Sequence, residues 1–458
     1  MKYNVFEYNY YQLGNDTYNN SKGYYYIMMT LGMFLSILWV IFVNAKPFSD
    51  FDYYYNLAKE ISRGLPWGDT YTSVGYSIVL GGIFKLFGAS VLTAKIFNLC
   101  ITFINYLCFK FILSKVNLKE IDRKIIFGLF VLFPNNILFN SILGTELIFT
   151  SIMLAVTCLY FSDLKLKYFF IGILTGLNTI VKPFFIVFFF AIFLVDVIKH
   201  KKLIWALRNS LIVLIMSVIV ISPWIYRNTK LMGQRTFVSN NGGIVLYINN
   251  NSQNHLGRWM PAADVEDSIV NKPKYKKANR TEQNKMLSAA AKKWIKSHPV
   301  DFIKLGFKRL LNTYFWSDDV TYSTYGSGVN RSYVHTLFAI DNIIRVIVFL
   351  STIIYVLLYS LRTLYSIFKG RSDELDKFKL YLIMLFFMFT SVYFVTEGQG
   401  RYSFPEIFIA VYCCYFSLKY LLHLLLKVKV IRHDCIDINI GFFGSHWTGT
   451  CKVWSSKS

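Results

Sequence analysis

Residues able to act on a substrate recur along this chain at the ends of apolar runs. Ser49-Asp50-Phe51-Asp52 follows the first such run. Two carboxylates there can supply a general base and a partner that orients it. An Asp at 50 or 52 could equally cap a short helix running through Ala58. Glu146 follows Gly144-Thr145 and opens another apolar run, where an acid also suits a helix N-terminus. Lys182 precedes Pro183 in the middle of the apolar stretch 168–198, placed to clamp a phosphate or to snorkel to an interface. Arg401 lies in Glu397-Gly398-Gln399-Gly400-Arg401-Tyr402, where glycines let backbone and guanidinium close on an anion; an interfacial Arg/Tyr anchor would use the same residues. Ser222-Pro223-Trp224-Ile225-Tyr226-Arg227-Asn228 joins aromatic-belt residues to a cation, and anchoring suits Trp224 better than catalysis. His255, His298 and His335 have no metal-ligand spacing, and no Walker A loop, Cys/His zinc pattern or nucleophile elbow occurs.

Composition says what must position these groups. Of 458 residues, 54% are hydrophobic, 18% aromatic and only 16% charged, with mean hydropathy +0.40, against roughly 25% charged in a soluble domain. A soluble globule, a disordered chain and a secreted disulfide scaffold are all excluded. Apolar runs of about 20 residues point to a polytopic all-α membrane protein, and they are too long for barrel strands. The net charge of +23 is then the signature of Lys/Arg-rich cytoplasmic loops, with no nucleic acid as partner. Cys100, Cys108, Cys158, Cys413 and Cys414 lie in apolar runs and Cys435 and Cys451 in the C-terminal tail, so no disulfide framework is available to the long polar loop. The first 23 residues form a Tyr/Asn-rich polar arm, with no cleavable signal after it.

The clearest spans are 24–45, 91–113, 125–143, 147–162, 209–226, 336–360, 380–396 and 403–426. Residues 168–198 as one helix would run about 46 Å against a core of about 30 Å. Pro183 divides them into a hairpin of two spans with Lys182 at the tip. Residues 75–88 are short and contain Gly81, Gly82 and Lys85, which fits an interfacial helix in the first outer loop. About ten crossings result. With the N-terminus inside, the basic loops around Lys115–Lys124, Lys165–Lys167, Lys199–Arg208, Arg362–Lys379 and Lys427–Arg432 all fall on the cytoplasmic side. Asp50, Asp52, Glu146, Lys182, Arg227 and Arg401 then converge at the outer face. The chain divides into a cytoplasmic arm (1–23), an N-terminal catalytic membrane module (24–226, with outer loop 46–90), an extracytoplasmic loop domain (227–335), C-terminal membrane helices (336–426) and a cytoplasmic tail (427–458). Helix signals at 281–297 and 300–315, broken at His298-Pro299, predict a helical cap lying over the membrane.

The order of these short motifs carries a resemblance. The acidic first loop, Gly75-Tyr76 with Phe87-Gly88, Thr145-Glu146, Lys182-Pro183, Pro223-Trp224 with Arg227-Asn228, Asn240-Asn241-Gly242-Gly243, Asn249-Asn250-Asn251 and Arg401-Tyr402 follow one another. This succession resembles the GT-C glycosyltransferases over residues 24–426. It looks most like the bacterial branch of glycosyltransferase family 39, which includes protein O-mannosyltransferases and the lipid A aminoarabinose transferase.

What the resemblance implies is a GT-C-like fold and transfer of a sugar from a polyprenyl phosphate carrier to an acceptor on the outer face of the cytoplasmic membrane, without cofactor or catalytic metal. It matches Asp50, with Asp52 as alternative, to the catalytic acid, with Tyr54 and Ala58 at the expected spacing. Glu146, Lys182, Arg401 and Tyr402 match the donor-phosphate side. Tyr76, Arg227, Asn228 and Asn241 fall in substrate-loop motifs. Family members often carry a Pro two residues before Gly-Tyr, sometimes with a phosphate-binding Lys ahead of it; here Ser73 and Thr72 stand there, which shifts phosphate recognition to Lys182, Arg401 or an inward-turned Lys85. Sugar and acceptor (protein, polysaccharide or glycolipid) stay open. Two other functions compete: a polysaccharide polymerase, against which the acidic first loop argues, and a lipid-linked-sugar flippase or transporter, against which the one-sided placement of charge argues.

Overall fold

The computed structural model describes residues 18–440, with side chains from 23 to 425. The expected arm up to residue 17, the tail beyond 440 with Cys451, and the Cys435 side chain lie outside the described residues. All regular structure among the described residues is helical, as a chain without water around its backbone requires. Helix α1 (Tyr18–Phe42) leads to α2 (Ser49–Ser62), α3 (Gly75–Phe87), α4 (Val91–Lys115), α5 (Glu120–Val131), α6 (Pro134–Leu138), α7 (Glu146–Tyr160), α8 (Lys167–Val181), α9 (Phe188–His200) and α10 (Leu203–Met232). The polar loop holds α11 (Gly242–Asn249), α12 (Pro273–Lys277), α13 (Arg280–Ser297), α14 (Pro299–Tyr314) and α15 (Asp319–Ser323). Helices α16 (Arg331–Phe368), α17 (Lys377–Val395) and α18 (Ile407–Ile440) complete the bundle, with a 3-10 turn over Gly400–Glu406.

This is a polytopic helical membrane protein. Among the described residues seven helical segments are long and apolar enough to cross a membrane, eight if α5 and α6 count as one span bent by 51° at Pro134. Length therefore supports seven or eight of the ten expected crossings. The shortfall lies in α7 and α8, of 15 residues each, which reach about 22 Å where about 30 Å is needed. Gly144-Thr145 and Lys182-Pro183 break the chain before those helices attain full length. The division of 168–198 at Lys182 and the short helix over 75–88 occur as expected.

Contacts fix the two ends of the bundle. At one end Asp196 takes hydrogen bonds from Tyr160 (2.6 Å) and Tyr168 (2.9 Å) and pairs with Lys377 (3.4 Å). Lys115 meets Asp163 at 3.1 Å, Lys419 meets Asp122 at 2.7 Å, and Lys199 caps the carbonyl of Asp373 at 2.5 Å. The basic loops thus share one end, while Asp50, Glu146, Lys182 and Arg401 share the other. Tight packing holds the segments between these ends. Gly172 and Gly176 of α8 seat α10, and Ser217 donates to the carbonyl of Gly172 at 3.0 Å, a small-residue contact that lets two backbones approach where apolar packing alone gives little drive.

In the loop, Tyr247, Ile248, Val265, Leu287 and Ala291 form a small core that joins α11 to α13. Helix α13 starts with a capping box between Asn279 and Glu282. Helices α13 and α14 match the expected boundaries to within a residue or two, but α14 does not lie over the membrane as a cap. It descends beside α17: Phe302 and Phe307 meet Phe394 edge-on at 5.6 and 5.8 Å, and Tyr314 stacks on Phe386 at 5.3 Å, inside the bundle. The cause is its amphipathic pattern. Leu305, Gly306 and Arg309 are buried against the bundle while Val300, Ile303, Phe307 and Leu311 face outward, continuing the apolar perimeter.

A β-carbon at Gly172 would lie 2.6 Å from Met216 Cβ and 2.8 Å from the Val213 carbonyl, and one at Gly176 2.7 Å from Val220 Cβ. The double substitution Gly172→Ala/Gly176→Ala is expected to cost roughly 1–3 kcal/mol by overpacking, read as a lowered thermal transition in detergent. Gly82→Ala, in open space, leaves that transition at the parent value.

Candidate functional site

Four segments far apart in sequence bring their charges to one recess. Asp50 and Asp52 both sit in the first turn of α2, whose N-cap is Phe48, so neither aspartate is the cap. Their surroundings separate them. Asp50 Oδ2 accepts from Arg401 Nη2 at 2.8 Å, whereas Asp52 Oδ2 accepts from Asn56 one turn along the exposed face of the same helix, at 2.9 Å. The Phe51 ring between them points inward, 5.3 Å from the Arg401 guanidinium carbon.

Glu146 begins α7 and is buried. Lys182 ends α8, and its ammonium meets Glu146 Oε1 at 3.3 Å, with the rings of Tyr402 at 5.3 Å and Phe149 at 5.5 Å. Because α7 and α8 stop early, both groups lie below the end of the bundle. The pair combines charge compensation with cation–π contact in a site that little water reaches. Glu146 Oε2 has no hydrogen-bond partner. It faces Gly144, where a β-carbon would stand 2.5 Å away, so glycine is the residue that leaves room for it.

Arg401 is braced on its other edge. Its Nε donates to Gln399 Oε1 at 2.7 Å, Gln399 Nε2 donates to Glu397 Oε1 at 2.6 Å, and Glu397 Oε2 accepts from Tyr402 Oη at 2.8 Å. Tyr393 Oη donates to the carbonyl of Tyr402 at 2.6 Å. Tyr54 and Tyr76 line the recess edge to face at 5.9 Å. Burial pushes both phenols up, with Asp50 adding to the effect at Tyr54 and Glu146 at Tyr76, so both keep their protons and Tyr76 Oη is left as an unpartnered donor. The start of α3 lies against α8: a β-carbon at Gly75 would touch the backbone of Ile180 and Val181 at 2.8 Å.

Other expected site residues fall elsewhere. Lys85 is exposed near the far end of α3, away from Tyr76, because Tyr76, Leu80 and Phe84 form the buried face. Arg227 stacks on Trp224 (4.4 Å) and donates to the carbonyls of Trp67 (3.1 Å) and Gly68 (2.6 Å). Asn228 donates to the carbonyls of Phe237 (2.9 Å) and Val238 (3.0 Å). Asn241 accepts from Ser239 at 3.0 Å beside the start of α11. These three fix loops around the recess, and none has a hydrogen bond to its charged groups. Between α3, α8 and α10 runs an apolar groove of about 670 Å³, lined by Pro66, Trp67, Ile78, Ile180, Pro223 and Trp224. It starts two residues from Lys182. Among the described residues no group of three or more His, Cys, Asp or Glu is arranged to hold a metal ion.

The support beneath the recess gave a signal that the motif order passes over. Arg345, inside an expected span, has a fully buried guanidinium paired with Asp319 at 2.8 Å. It also donates to the carbonyls of Thr313 (3.0 Å) and Gly400 (3.3 Å) and to Ser403 Oγ (2.6 Å), while Asn135 donates to the same Asp319 oxygen. Ionisable residues inside apolar runs are the ones to single out, and Asp341, Arg345 and Glu406 all qualify. Burial raises the Asp319 carboxyl, opposed by the Arg345 charge.

Asp319→Ala strands a buried guanidinium and is expected to cost about 3–5 kcal/mol, seen as a drop in thermal stability of the purified protein. The volume-matched pair Asp319→Leu/Arg345→Met recovers most of that loss. Equal losses in the single and double variants would show that the ion pair is not what stabilises this region.

No family model, curated protein or solved structure matches this chain.

Proposed function

We propose that this chain is a membrane glycosyltransferase that moves a sugar from a polyprenyl phosphate carrier to an acceptor hydroxyl or amine, at the outer face of the cytoplasmic membrane. The observation that carries this reading is the recess itself. Two recessed cations, Lys182 and Arg401, stand beside one half-exposed carboxylate, Asp50, and an apolar groove of about 670 Å³ is lined from α3 and α8, the helices that also carry Tyr76 and lead into Lys182. A lipid phosphate with its tail in the groove places its charge on the cations. In the reaction the acceptor proton passes to Asp50, and the acceptor atom bonds to the anomeric carbon. The carbon–oxygen bond to phosphate breaks, with its electron pair staying on the phosphate oxygen. One such displacement inverts the anomeric centre. Lys182 and Arg401 stabilise the leaving charge where little water screens it, and Asp50 acts as general base. The outward orientation draws support from the basic loops gathered at the opposite end.

A lipid-linked-sugar flippase is the second reading. Asp341, buried in α16 with neither carboxylate oxygen hydrogen-bonded, favours it, since transport pathways place ionisable groups within the bundle.

Membranes supplied with radiolabelled undecaprenyl phosphate sugars separate the two. Wild type is expected to release undecaprenyl phosphate, with transfer falling at least about a hundredfold in Asp50→Asn and far less in Asp52→Asn. Labelled lipid that changes leaflet without any release of undecaprenyl phosphate would replace the transferase by the flippase.

A further inference from the structure

Both cations of the recess are engaged by carboxylates, and the two pairs are built differently. Glu146 is fixed: its side chain is 2% exposed and its partner Lys182 15%. In the second pair the exposures are 12% for Arg401 and 52% for Asp50. The guanidinium is held from behind by Gln399, itself bonded to Glu397, whereas among the described residues Asp50 Oδ2 has the Arg401 bond as its one charged contact. Water can take over the oxygens of half-exposed Asp50 at little cost, whereas recessed Arg401 needs another anion in its place. In this pair the cation is rigid and the anion is the movable member.

We infer that Asp50 is an internal stand-in for the ligand's phosphate, a latch that an incoming phosphate displaces from Arg401. This rests on the reading of the recess as a phosphate site and of Asp50 as the base. A carboxylate and a phosphate oxygen compete for the same N–H edge of one guanidinium, and the phosphate brings additional acceptor oxygens for Lys182. While the latch is closed, the lone pairs of Asp50 are spent on Arg401. When a donor phosphate takes Arg401, those lone pairs are free to receive the acceptor's proton. Transfer is therefore ordered, with the donor phosphate binding before the base can act. Neither the recess alone nor the acceptor alone sets the base free.

The test is binding of farnesyl phosphate, a short prenyl monophosphate, to the purified full-length protein by calorimetry. Removing the competing carboxylate in Asp50→Asn is expected to tighten binding about tenfold, although the same substitution is expected to lower transfer at least about a hundredfold. Glu60→Gln, an equal charge change on the exposed face of α2, leaves the affinity at the wild-type value, which excludes a general field effect. Arg401→Lys weakens binding in wild type and removes most of the gain from Asp50→Asn. Wild type and Asp50→Asn binding equally would overturn the latch and leave the phosphate site standing. Weaker binding in Asp50→Asn would overturn it as well. No binding in any variant would overturn the phosphate site and the latch together.

Discussion

The buried contact between Arg345 and Asp319 decides where everything at the site end stands. No water reaches the guanidinium, so every N–H it cannot bond within the protein is a direct cost. Its donors go to Thr313 at the end of α14, to Asp319 in α15, and to Gly400 and Ser403 in the 3-10 turn before α18. Asn135 of α6 joins from the other side through Asp319. Four parts of the chain are thereby referred to one point in the first half of α16. Arg401 follows Gly400 directly, so its starting position is set by a bond that Arg345 makes. The floor of the recess follows from satisfying the two Nη groups of one buried cation, whose Nε is left without a partner among the described residues.

The depth of the recess has a separate cause. Longer neighbours surround α7 and α8, and the breaks at Gly144-Thr145 and Lys182-Pro183 leave a shortened pair whose last residues are charged. Lowering those residues removes water from around Lys182 while Glu146 compensates its charge. The Tyr402 ring is in contact with both cations, with Phe51 against Arg401 and Phe149 against Lys182. An anion entering there meets a positive field already oriented, which needs little rearrangement.

Much of this was readable from residue order. The break at Lys182, the short helix after residue 75 and the pair of helices around His298-Pro299 follow from proline, glycine and apolar length, which act locally. The nearness of Asp50 to Arg401 was legible only as a shared end of the bundle, because it spans 351 residues. The choice between Asp50 and Asp52 was not legible. It depends on the helical phase that points Phe51 inward, and that is fixed by contact with Tyr322 and Arg401. Lys85 illustrates the reverse case: a cation in a suggestive motif, carried outward by the helix face on which Tyr76, Leu80 and Phe84 are buried. Arg227 and Asn228 read as binding residues in sequence; Arg227 lines the groove, with donors to the carbonyls of Trp67 and Gly68 and to Asn228 Oδ1, and Asn228 donates to the carbonyls of Phe237 and Val238. The descent of α14 was hidden for a different reason. An amphipathic helix with two lysines reads the same whether its apolar stripe rests on a membrane or continues down a bundle.

The long separation between Asp50 and Arg401 also has a history in time. A ribosome adding roughly 5–20 residues per second needs on the order of 20 to 70 s to pass from one to the other. Until α17 is made, α14 lacks the helix it packs on, so Arg309 waits for the carbonyl of Phe394 and Tyr314 waits for Thr390 and Glu406. Asp50, made early, meets its cation only after Arg401 has been added. A chain arrested between α10 and α17 carries the residues of the groove, the short helices and the Lys182–Glu146 pair, but it lacks the turn that closes the recess. Biogenesis therefore gives a nascent chain no complete site until its last membrane helices are inserted.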